Sequence, residues 1–144
     1  MKKICIVILT AVLLFSVVSC KTGKGGESGS QSETADIDLT TLSSTMVYAE
    51  VYNMVSKPDD YLGKKVVMRG KFAVGEGDGR YYFACIIPDA TACCSQGIEF
   101  LLDGDHSYPE DYPEIGTEIT VEGVFDTYYE GTYRYCQLIN ASMK

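Results

Sequence analysis

Apolar residues follow three different patterns along this chain. From Ile4 to Val18 they are almost continuous. That run is shorter than the roughly 20 residues a spanning helix needs, and it suits the apolar core of an export signal. From Lys21 to about Thr41 they are scarce, and Thr22 to Ser32 is rich in Gly and Ser. Such a segment buries too little surface to offset its ordering entropy and reads as a tether. From Ser43 onward the apolar positions are periodic. Val47, Val51, Met54 and Val55 fall at i, i+4, i+7 and i+8, which predicts one face of a short helix stopped at Lys57-Pro58. Beyond Lys65 the period becomes two. Val66, Met68, Phe72 and Val74 share a face with Gly70, and Val67, Arg69 and Lys71 take the other. Further strands are expected over Tyr81 to Ile87, Gly97 to Leu102, the Ile119-Val121-Phe125 stretch, and Tyr133 to Ala141. Asp103 to Gly116, with Pro109 and Pro113, interrupts the third and fourth strands as a polar excursion.

Five strands broken in that place predict a mainly β fold: a five-stranded OB-like barrel preceded by one short helix. Gly70 and Gly123 stand inside strands, where a barrel must bend sharply. A small open sandwich is the competing architecture.

The apolar run is preceded by Lys2 and Lys3 and ends Val17-Val18-Ser19-Cys20. A branched apolar residue, a small residue and then cysteine match the site at which bacterial lipoproteins are cut and acylated. The expected organisation is a signal peptide over 1–19, a lipidated Cys20 with a flexible linker over 20–42, and the domain over 43–144. Acyl chains such as palmitate on Cys20 would hold the chain outside the cytoplasm on a bacterial membrane, because each buried CH₂ contributes about 0.8 kcal/mol.

Charge narrows the partners. Ten of the 12 basic residues and all 20 acidic ones lie from Cys20 onward, a formal net charge of −10 for that part. Phosphate backbones repel such a chain, so no nucleic-acid partner is expected. No glycine-rich phosphate loop, HExxH or serine elbow occurs, and no enzyme activity is expected. His106 reads as an exposed loop residue. Asp103, Asp105, Glu110, Asp111 and Glu114 read as a solvated acidic loop without the spacing of a calcium loop.

Two sets of side chains remain as candidates. With Cys5 in the signal and Cys20 acylated, the thiols are Cys85, Cys93, Cys94 and Cys136. An OB-like strand order would gather them at one rim. They suit a disulfide staple from Cys85 or the adjacent pair to Cys136, a zinc site, or redox-active thiols. Adjacent cysteines lack the usual two-to-four-residue ligand spacing, and no cofactor other than zinc is expected. The second set is aromatic. Tyr81, Tyr82, Tyr128, Tyr133 and Tyr135, with Tyr129, can line a barrel wall that takes a protein, an envelope component or a small ligand.

The stretches 61–70 (YLGKKVVMRG) and 116–123 (GTEITVEG), with 138–141 (LINA), resemble the opening and closing strands of bacterial exported OB-fold domains. Thr91-Ala92-Cys93-Cys94 followed by Gly97-Ile98-Glu99-Phe100 is similar to the Cys-Cys segment in the extracytoplasmic domain of a family of two-component permease subunits. The resemblance implies an OB-like domain with a paired-cysteine loop. A transport role does not follow from it, because the membrane segments of such subunits have no counterpart after Cys20.

Overall fold

The computed structural model describes residues 34–144 except Ala90 and Ala92. The expected signal peptide, Cys20 and the linker up to residue 33 lie outside the described residues. The order along the chain is β1 (Ile37–Asp38), a 3-10 turn (Leu39–Thr41), α1 (Ser44–Ser56), a second 3-10 turn (Pro58–Asp60), β2 (Lys65–Gly77), β3 (Arg80–Pro88), β4 (Ser95–Leu102), β5 (Glu118–Glu130) and β6 (Tyr133–Met143).

β2 to β6 form the expected OB-like barrel, as a partly closed ring. Each long strand runs antiparallel to its neighbour except β4 and β6, which pair in parallel. β2 closes the ring by changing partners along its length. Lys65 to Lys71 pair with Val124 to Glu118 of β5, and Lys71 to Gly77 pair with Ile86 to Arg80 of β3. The alternation works as the period of two requires: Val66, Met68 and Phe72 are buried inside with Cys85, Ile98, Phe100, Val121, Phe125 and Leu138. Near Gly123 the β5–β6 register slips by a bulge, and a Cβ there would stand 3.0 Å from Ile139 O.

Each end of the ring is covered. α1 lays Val47, Val51 and Met54 against β3, β4 and β6. Val55, expected on the same face, is 41 % exposed. At about 100° per residue it stands at the margin of the stripe, beyond the width the barrel covers. Toward the other end, Tyr112 from the long connection stacks on Phe83, with centroids 4.0 Å apart, and Tyr108 packs beside both Phe83 and Tyr81. The connection, polar by its sequence, therefore contributes Tyr112 to the core and packs Tyr108 over Phe83 beside it.

The folded part also begins before Ser43. Ile37 and Asp38 pair in parallel with Val66 and Val67, and Leu39 is 1 % exposed. Asp38 caps the first 3-10 turn by accepting from Thr40 N at 2.9 Å, and Lys65 N–H donates to Asp36 Oδ2 at 2.8 Å. The segment 36–42 is thus part of the domain rather than of the linker. Two paired residues and one leucine are too few to show a period.

Candidate functional site

The expected aromatic wall becomes a cleft on the outer face of the barrel. Even positions of β3 and odd positions of β4 face outward, which puts Tyr82 and Glu99 on that face. β5 and β6 form a long hairpin that carries Tyr128 and Tyr135 opposite one another. Two adjoining pockets of about 330 and 260 Å³ share Tyr82, Glu99 and Tyr128 as walls, with Arg80, Tyr135, Gln137 and Glu130 among their other lining residues.

The polar groups are tied into two parallel units. In the first, Tyr82 OH donates to Glu130 Oε1 at 2.8 Å, Arg80 Nη2 donates to the same oxygen at 2.8 Å, and the guanidinium lies 5.5 Å from the Tyr82 ring centre. In the second, Tyr128 OH donates to Glu99 Oε2 at 2.6 Å, and the Tyr128 and Tyr135 rings stack with centroids 5.3 Å apart. Burial, with help from Glu99, pushes the Tyr128 hydroxyl up, and the bond to Glu130 does the same for Tyr82. Both phenols stay protonated and serve as donors. Burial raises the Glu99 carboxyl above its ordinary 4.5 and outweighs the opposing bond from Tyr128.

That shift predicts a pH effect. A raised carboxyl binds more protons folded than unfolded in the window just above its ordinary value, so stability falls as pH rises through that window. In urea unfolding at a series of pH values, Glu99→Gln is expected to flatten the decline that sets in above its ordinary value of 4.5. An unchanged slope would remove Glu99 as its source.

Not every expected tyrosine joins the cleft. Tyr133 is 71 % exposed near the hairpin tip and lines neither pocket. Tyr81 borders one pocket, but its ring leans on Tyr108 at 4.8 Å. Nothing in the sequence singles out Glu99, Glu130 and Arg80. Their only signal was outward parity on a strand, which many charged residues share. A second groove of about 330 Å³ lies between Leu39–Val47 and the Arg69–Lys71 stretch, and it has no aromatic lining.

The four thiols do not converge. Cys85 pairs in register with Ile98, and the β4–β6 register places Cys136 on the far side of that same residue. Two strand spacings, about 10 Å, separate Cys85 from Cys136, beyond the reach of a disulfide or a shared ion. Cys85 is fully buried, and burial pushes its thiol up to about 12. Cys136 is half-buried under Met54. All four are free thiols, and only Cys93 and Cys94 stay together, exposed in the β3–β4 loop with Asp89. The expected rim fails because Cys85 and Cys136 point into the sheet's inner face, while the pair sits beyond the strand ends.

No helix among the described residues is long and apolar enough to cross a membrane. A scan of protein-family models gives no match to the chain, and a search of curated proteins gives none either.

Proposed function

We propose that this chain is a lipid-anchored extracytoplasmic binding module, not an enzyme, whose cleft between Tyr82 and Tyr128 takes a basic segment of an envelope protein. The anchor rests on Val17-Val18-Ser19-Cys20 behind an apolar run. One observation carries the ligand class: the cleft already holds a cation of its own. Tyr82 and Glu130 embrace the Arg80 guanidinium from ring face and carboxylate. Tyr128, Tyr135 and Glu99 repeat that pairing of aromatic faces with a carboxylate, and no described Lys or Arg makes an ion pair with Glu99. An aromatic face and a carboxylate together favour Lys or Arg, by about 0.5–1 kcal/mol for the ring contact at an exposed site. The surplus of acidic residues adds long-range attraction for the same partner.

Membranes from a bacterial host expressing the full chain are expected to take up a fluorescent lysine-rich peptide in a salt-sensitive way. Tyr128→Ala should weaken uptake about tenfold, the loss of roughly 1.4 kcal/mol, while the chain stays with the membranes. The chain should incorporate labelled palmitate, and Cys20→Ala should end that incorporation. Uptake indifferent to Tyr128→Ala would sink the cleft, and a chain that takes up no palmitate would sink the anchor.

A further inference from the structure

The β3–β4 loop is organised by one carboxylate. Pro88 and Ser95 form the last pair of the ladder, and Asp89 N–H donates to Cys94 O at 2.9 Å. Asp89 Oδ1 then accepts from Thr91 N at 3.1 Å and from Cys93 N at 3.0 Å, a turn built on an aspartate side chain. The result brings the Cys93 and Cys94 sulfurs to 3.6 Å from one another, with Asp89 Oδ2 3.2 Å from Cys93 Sγ. All three donor atoms lie within 4.8 Å of one another at the surface.

We infer that Asp89, Cys93 and Cys94 form a three-donor site for a thiophilic divalent cation, of which Zn²⁺ is the representative. Two thiolates on a tetrahedral zinc, each about 2.3 Å from the ion, stand about 3.8 Å apart. The sulfurs are therefore already spaced as one edge of that tetrahedron, although the ligands are consecutive residues. A carboxylate oxygen completes a triangular face with little movement. Binding releases a proton from each thiol as its sulfur joins the ion, so the site tightens as pH rises. Asp89 suits the role in its resting state. Its Oδ1 is held by Thr91 N and Cys93 N, and its Oδ2 lies 3.2 Å from Cys93 Sγ. The fourth position faces solvent, because both cysteines are exposed. A closed four-ligand site locks its metal in place, whereas an open three-ligand one leaves room for a water or a second donor. The geometry fits an ion that is taken up and released, and it requires neither Cys85 nor Cys136.

The test uses the full chain in detergent, reduced, with Cys5 and Cys20 replaced by serine, titrated with Zn²⁺ against a chromophoric chelator. One equivalent should bind, Cys93→Ser with Cys94→Ser should abolish it, and Asp89→Asn should weaken it about tenfold. Cys136→Ala should leave it unchanged. Circular dichroism should be the same for the Asp89, Cys93 and Cys94 variants, since these three residues lie outside the core. Zinc that persists without Cys93 and Cys94, or a reduced chain that binds none, would overturn the assignment. So would an exported chain isolated with Cys93 and Cys94 joined as a disulfide, because no thiolate would remain.

Discussion

Phe72→Ala is expected to lower the unfolding free energy by about 3–5 kcal/mol, a large share of the 5–15 kcal/mol a domain of this size holds. The ring stands at the junction of three parts of the fold. It packs beside Phe83, Phe100 and Tyr112 at centroid distances of 5.8 to 6.2 Å. Its backbone donates to Thr117 O and accepts from Gly116 N, both at 2.8 Å, where the long connection rejoins the barrel. Removing the ring leaves a void between two sheet walls and the loop that covers them, and long-range strand pairing limits how far they can collapse. Urea unfolding of Phe72→Ala beside Val55→Ala provides the measurement. The exposed Val55 should cost no more than about 0.5 kcal/mol. A Phe72→Ala loss below about 1 kcal/mol would mean that the aromatic cluster is not the centre of the core.

Gly70→Ala should be nearly as damaging although it adds a single methyl group. Gly70 lies next to Lys71, where β2 leaves β5 and joins β3. The strand coils there so tightly that a Cβ would lie 2.5 Å from Ile86 O and 2.9 Å from Cys85 Sγ. The first of these is backbone and cannot turn aside, so the ladder itself must shift, at about 3 kcal/mol. Gly97 gives the control. A Cβ there would meet Ile86 Cδ1 at 2.5 Å, the far end of a side chain that can rotate away. Gly97→Ala should cost about 1 kcal/mol or less. Equal effects at the two positions would show that the β2 hand-over tolerates expansion.

The difference between these glycines marks what could be read from residues alone. Period two located all five long strands, because a half-buried strand must alternate and this barrel has one inner face. Gly70 and Gly123 stood out as breaks in that alternation. The long connection looks polar in sequence because Tyr108 and Tyr112 are too widely spaced among Asp, Glu and Pro to form a pattern. Leu39, alone among polar neighbours, gives no pattern either. The candidate sites divide along similar lines. Tyr82, Tyr128 and Tyr135 are legible because tyrosines cluster in short runs on β3, β5 and β6, at Tyr81-Tyr82, Tyr128-Tyr129 and Tyr133 to Tyr135. Their carboxylate partners are not, since Tyr82 and Glu130 are 48 residues apart and meet only through the curvature of the ring. The cysteines misled for a related reason. An OB-like strand order gathers them at one rim, but whether each faces inward or stands beyond the strand end is decided by parity and loop geometry.

The two-residue strand β1 has a mechanical consequence. A pull on the chain from its N-terminal side enters the domain at Asp36 and is borne first by the Lys65 N–H bond, the short parallel pairing with Val66 and Val67, and the seat of Leu39. These contacts form a small clasp in series with the rest of the molecule. Under load it would open first, while the β2–β6 ring keeps all of its own ladders. Several residues of slack would be paid out before any force reached the cleft or the β3–β4 loop. The segment 36–42 is thus the part of the domain that such a pull would load ahead of the barrel.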